Sequence, residues 1–230
     1  MIILAIDTSG PVCGVAVWVD GRIRYEAAAI NKLTHSESLM PMLDEALIRA
    51  GIEKKALTHL AVTVGPGSFT GVRIGVTAVK ALSHALNIPC IAVGALEATA
   101  HGIDAANEII CPIQDARVMQ VYGAAFQNGR RLMDDCVLKL DEYLEKIAAL
   151  EGNFLFTGDG VMTYQQRIAE KLGGRARFAS VQCAYLRPAA VACVAAQKAD
   201  EAVDYLSLQP LYLRAPQAER ERAKKEARHG

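Results

Sequence analysis

One stretch constrains this chain more than any other: Thr63-Val64-Gly65-Pro66-Gly67-Ser68-Phe69-Thr70-Gly71-Val72-Arg73-Ile74-Gly75. The apolar run Leu60-Ala61-Val62-Thr63-Val64 leads into it and reads as a buried strand. After it, Val72, Val76, Val79, Leu82 and Leu86 recur at helical spacing. The glycines therefore sit at a strand-to-helix junction, where Gly65 and Gly67 let the backbone turn and Ser68 or Thr70 caps the following helix. The first N–H groups of such a helix lack internal partners and carry the positive end of its dipole, so a junction of this kind can hold an anion. It matches neither common phosphate loop. Val72 follows Gly71 where a Walker A loop needs lysine, and the G-x-G-x-x-x-G spacing is one residue longer than the dinucleotide fingerprint. A packing role competes with ligand chemistry: Gly71 and Gly75, four apart on one helix face, would let another helix approach closely.

The elements around this loop fall into two similar series. Residues 2–6 read as a strand, Asp7-Thr8-Ser9-Gly10-Pro11 as a turn, and residues 13–19 as a second strand. Asp20-Gly21 is a hairpin signal leading to a third strand. Thr34-His35-Ser36-Glu37 has capping-box spacing ahead of an apolar helical stripe, in which Pro41 predicts a kink or a late start and Gly51 a stop. His35 reads as a helix-end residue. From Ile109 the pattern returns: strand, Asp115 turn, strand, Asn128-Gly129 hairpin, strand, helix, then a strand ending at Gly158-Asp159-Gly160. This internal repeat predicts an α/β protein of two related lobes. The expected boundaries are 1–107 and 108–213, with helix 188–202 packing between the lobes and a charged tail over 214–230.

Composition narrows the function. The 230 residues are 52% apolar and 22% charged with zero formal net charge, which argues against holding nucleic acid by a broad basic surface. Residues 2–6 stop at Asp7 without a basic leader, and no apolar run approaches the roughly 20 residues of a membrane span. A cytoplasmic protein with no membrane partner is expected. The six cysteines show no C-x-x-C pair and read as free thiols. The five histidines form neither H-E-x-x-H nor H-x-x-x-H, and no G-x-S-x-G elbow occurs.

The segment Val64 to Gly75 resembles the signature of the bacterial TsaB (YeaZ) family. Ile6-Asp7-Thr8-Ser9, Thr34-His35-Ser36, Leu39-Met40-Pro41, Asp115-Ala116-Arg117, Val121-Tyr122 and Tyr212-Leu213-Arg214 match in type and order. Val118-Met119-Gln120 departs from the more polar run of such relatives. The resemblance implies the actin-like/Hsp70-like/sugar-kinase superfold, with mixed sheets flanked by helices. It also implies a non-catalytic subunit for threonylcarbamoyl transfer to N6 of adenosine 37 in tRNAs reading codons that begin with A. Its implied partners are TsaD, as a heterodimer, and TsaE through the complex, with tRNA contacted indirectly and a homodimer when alone. TsaD, the catalytic relative, carries a His-x-x-x-His metal motif whose two ligand positions fall here on Ala95 and Thr99. No catalytic residue, no metal and no intrinsic cofactor is therefore expected.

Two sets of site residues follow. Asp7, Thr8, Ser9, Gly65, Gly67, Ser68 and Asp115 are candidates to contact a weakly held nucleotide or anion at a lobe or subunit interface. Leu39, Met40, Leu43, Gly71, Gly75, Val76 and Val79 are candidates for the partner interface, unless those stripes are the lobe's own core. The alternative function is an ATP-dependent kinase or ATPase of the same superfold, using Asp7, the 65–71 loop and Asp115.

Overall fold

The computed structural model describes residues 1–31, 33–105 and 107–214. The first series contains β1 (Ile2–Asp7), β2 (Cys13–Val19), β3 (Arg22–Ala29), α1 (His35–Ala50), β4 (His59–Gly65), α2 (Phe69–Leu86), β5 (Cys90–Gly94) and α3 (Ala95–His101). The second contains β6 (Glu108–Asp115), β7 (Gln120–Gln127), β8 (Arg130–Lys139), α4 (Leu140–Ala148), β9 (Asn153–Thr157), α5 (Asp159–Leu172), β10 (Ala176–Phe178) and α6 (Pro188–Gln197).

The two sheets have one topology, β3-β2-β1-β4-β5 and β10-β9-β6-β7-β8. In each, the central strand pairs antiparallel with the next strand and parallel with the strand that precedes the second helix. The repeat read from the hairpin signals is thus a repeat of fold. Asp20 and Gly21 have φ of 44° and 89°, and Asn128 and Gly129 have 50° and 74°, the positive values that tight hairpins require.

Strand alternation decides which helices cover which face. Leu4, Ile6, Leu60 and Val62 point to the layer of α1 and α2, where Leu39, Leu43, Val72, Val76 and Val79 meet them. Ile3, Ala5, Ala61, Ile91 and Val93 point the other way, onto α3 and α6. In the second lobe, Ile109, Cys111, Ile113, Phe154 and Phe156 pack on α4 and α5. Leu96 and Ala100 of α3 join Ile110, Ala124 and Phe126, so α3 lies between the two sheets.

Three expectations need correction. First, Leu39, Leu43, Val76 and Val79 are at most 5% exposed and Gly71 and Gly75 are buried, so these six form the lobe's own core rather than a surface. The exposed side chains of these helices include Met40, Asp44, Glu45, Ile48, Arg49, Arg73, Thr77 and Ala81. Second, the helix expected over 188–202 ends at Gln197, and it packs on the first sheet and on α3. It has small or apolar residues on nearly every face, which lets it approach the sheet closely. The chain then stays with the first lobe: Val203 bridges Cys90, and the Leu211 N–H donates to the Val64 carbonyl at 2.7 Å. Third, α1 begins at His35 and runs on through Pro41. The Glu37 carboxylate accepts from the Thr34 N–H at 2.8 Å and the Thr34 hydroxyl at 2.7 Å, so the start is set by the cap. The tail beyond Arg214 lies outside the described residues.

The cysteines among the described residues are free thiols. No helix is long and apolar enough to cross a membrane, among the described residues.

Candidate functional site

Parallel pairing of β1 with β4 sets two loops side by side: Asp7-Thr8-Ser9 at the end of β1 and the glycine loop at the end of β4. Asp7 is 1% exposed. Its Oδ1 accepts hydrogen bonds from the Thr63 hydroxyl at 2.6 Å, the Ser9 hydroxyl at 2.7 Å and the Ser9 N–H at 2.9 Å. Burial raises the Asp7 carboxyl above its ordinary range, while these donors and the charge of His35 oppose that rise. His35 stands at the first turn of α1, and its Nε2 meets the Gly10 carbonyl at 2.9 Å, so it braces the same loop.

The glycine loop wraps the protein's own backbone. Ser9 O accepts the Ser68 N–H at 2.7 Å, and the Thr8 hydroxyl donates to Gly71 O at 2.7 Å. A Cβ at Gly71 would lie 2.1 Å from Thr8 O, and one at Gly75 would lie 2.5 Å from Thr8 Oγ1. The two glycines are there so that α2 can press against the first loop. Ser68 is the cap, its side chain accepting the Gly71 N–H at 3.2 Å. Gly65 has φ of 120°, and a Cβ there would meet Leu211 O at 2.6 Å. The glycine spacing serves packing, but against the loop after β1 and the strands beneath α2 rather than against another helix.

Residues 211–214 strap this loop to the second lobe. Tyr212 stacks on Phe69 with ring centroids 4.8 Å apart and accepts from Arg73 Nε at 2.9 Å, while Arg73 lies 3.9 Å over the Phe69 ring. Arg214 then donates to Ala116 O at 2.7 Å.

Between the lobes is a cavity of about 20 Å³, room for about one water. Asp7, Ser9, Thr99, Gln114, Asp159 and Tyr185 are among its lining residues. Asp115 does not line it. Its Oδ1 instead accepts from the Tyr164 hydroxyl and the Arg117 N–H, each at 2.8 Å. The structure therefore brings Asp7 and Ser9 to the junction, turns Thr8, Gly65, Gly67 and Ser68 to packing and capping, and leaves Asp115 outside. Gln114, Asp159 and Tyr185 line the cavity without being site candidates in the sequence, where Gly158-Asp159-Gly160 reads as a turn. Gly158-Asp159-Gly160 occupies in the second lobe the place of the glycine loop in the first, and the repeat was the signal that could have found it. Burial pushes the Asp159 carboxyl up to about 6, reinforced by the neighbouring Asp115 charge and opposed by the Asp115 and Gly160 N–H groups.

Ala95 is fully buried, and Thr99 donates its hydroxyl to Ala95 O at 2.8 Å. Among the described residues, no group of three or more His, Cys, Asp or Glu converges to hold a metal ion.

Comparison with known proteins gives these features a setting. A family model described as "TsaD: tRNA N6-adenosine threonylcarbamoyltransferase" matches residues 29–229. The tRNA threonylcarbamoyladenosine biosynthesis protein TsaB of Bacillus subtilis is 34% identical over 223 residues, covering 95% of this chain and 96% of that protein. The protein of the same description from Escherichia coli is 33% identical over 168 residues, 70% of this chain and 72% of that one. The solved structure of YeaZ from Pseudomonas aeruginosa superposes with a TM-score of 0.77 at 28% identity, covering 92% of this chain and 99% of that chain. A ROK hexokinase from Thermus thermophilus superposes with a TM-score of 0.54 at 13% identity, covering 86% of this chain and 100% of that chain, a likeness of fold alone. Two mixed sheets flanked by helices, with these neighbours, make this the actin-like/sugar-kinase superfold.

Proposed function

The chain belongs to the TsaB (YeaZ) family, and from that premise we propose that it is a non-catalytic subunit of the tRNA threonylcarbamoyladenosine pathway, one that binds TsaD and helps to recruit TsaE. The observation that carries the non-catalytic reading is the pair Ala95 and Thr99. The resemblance implies that they fall where the catalytic relative has two metal-binding histidines. One has no donor atom, and the other spends its hydroxyl on its own helix. The same reading is supported at the glycine loop. Ser9 O occupies the Ser68 N–H that an anion would need, and the cavity beside Asp7 is sized for a water rather than a nucleotide.

The partner surface proposed here is the outward side of α1 and α2, through Met40, Ile48, Thr77 and Ala81. Met40 is 49% and Ile48 77% exposed, the largest apolar side chains that these helices give to solvent. Small residues on α2 beside larger ones on α1 suit helix pairing, with TsaD or with a second copy of this chain.

Co-purification of the tagged chain with TsaD and TsaE of the same organism, followed by reconstituted threonylcarbamoylation with each protein omitted in turn, tests the proposal. A stable complex and loss of modification without this chain are expected. ATP turnover by this chain alone, with no complex formed, would replace the subunit reading by that of an independent kinase or ATPase.

A further inference from the structure

Two acceptor atoms at the junction of the lobes have no donor. Asp159 Oδ1 and Gln114 Oε1 are both sealed from solvent, and neither receives a hydrogen bond from the described residues. Gln114 is 8% exposed, and both side chains line the interlobe cavity. Their backbones are close-packed: a Cβ at Gly160 would lie 3.1 Å from Ile113 O and 3.2 Å from the Gln114 carbonyl carbon. A buried acceptor without a donor costs free energy, and each such atom in a native protein calls for a water, an ion or a proton. A water needs accessible surface on the atoms it serves, and these two have almost none. A proton needs no room.

We propose that Asp159 takes up a proton and, as a neutral carboxylic acid, donates to Gln114, so that one proton satisfies both orphan acceptors and latches the floor of the interlobe junction. The electrostatic surroundings agree. The charged and titratable groups facing Asp159 are Asp115 from β6, Tyr164 from its own helix, and Asp7 and Tyr185 across the cavity, with His35 of α1 acting on Asp7. They hold two carboxyls and a single imidazole, an arrangement that favours the neutral acid. Because the folded carboxyl titrates above its unfolded value of 3.8, the folded protein binds the extra proton between that value and about 6. The latch is closed below this window and strained above it, so stability falls as pH rises through it.

The test is the carboxyl carbon resonance of Asp159 in the full-length protein, followed by NMR from about pH 4 to about pH 8, with thermal midpoints over the same range. The wild type is expected to titrate near 6 and to lose thermal stability as pH rises toward neutrality. Asp159→Asn, whose amide supplies the donor permanently, is expected to flatten that pH dependence and to raise the midpoint at neutral pH. Titration of Asp159 in the ordinary carboxylate range would overturn the proposal, since a Gln114 amide turned to present its nitrogen would give that result. A midpoint that rises with magnesium in the wild type but not in Asp159→Asn, without proton dependence, would also overturn it in favour of a bound cation. The resonance is read in the wild type, so the proposal stays falsifiable even where the variant does not fold.

Discussion

Ser9 O and Ser68 N are 2.7 Å apart, and this one hydrogen bond joins the loop after β1 to the start of α2. A donor that a phosphate loop would turn toward its ligand is here satisfied by the chain itself. With Thr8 bonded to Gly71 O beside it, the glycine signature works as a packing joint between two adjacent strand ends.

That joint leaves no space at its glycines. Gly71→Ala places a methyl 2.1 Å from the Thr8 carbonyl oxygen, so it is expected to cost about 1–3 kcal/mol in urea unfolding. Gly174→Ala, where a Cβ meets nothing within 4 Å, is the matched control and should be nearly neutral.

Core and surface of the α1–α2 layer separate by the same kind of measurement. Val79→Asp buries a charge at a fully enclosed position and should lose on the order of 3–5 kcal/mol. Ile48→Asp, at a position 77% exposed, should change stability by less than about 0.5 kcal/mol. If the outward side of these helices binds the partner, Ile48→Asp weakens complex formation in pull-down or calorimetry while the fold is kept. An unchanged affinity would move the interface elsewhere.

Asp7 depends on Thr63, whose hydroxyl donates to it at 2.6 Å in a site sealed from water. Thr63→Val keeps the shape and removes the donor, so a loss of roughly 1.5–3 kcal/mol near neutral pH is expected. Thr63 also opposes the rise of the Asp7 carboxyl, so the variant should recover part of its stability on acidification, when Asp7 takes up a proton. Equal losses at every pH would show that Asp7 does not titrate with that hydroxyl.

Glu26 gives the opposite sign. Burial alone would raise its carboxyl, but hydrogen bonds from Arg187 and the Ala189 N–H, with the Arg187 charge, hold it below the ordinary value of 4.5. Its contribution is present above that value and is lost as pH falls through the folded one. The stability difference between wild type and Glu26→Gln should therefore shrink on acidification below about 4.5. Because this contact ties β3 to the start of α6, the variant should also make residues 188–197 easier to exchange in hydrogen-exchange measurements.

What the sequence by itself determined is local. The hairpins at Asp20-Gly21 and Asn128-Gly129, the capped start of α1, the strand-to-helix junction at Gly65 and the repeat of two lobes all rest on backbone preferences of neighbouring residues. Tertiary structure alone decided the rest. An apolar stripe on α2 has the same period whether it faces a core or a partner, and only the sheet beneath Val76 and Val79 made it core. The small residues of α6 do not say which sheet they cover; the uncovered face of β1 and β2 does. Asp7, Gln114 and Asp159 come from three strand ends in two lobes, and their meeting depends on how those lobes close. Burial, which sets the charge of a carboxylate, is a property of that closure and not of the residues beside it in the chain.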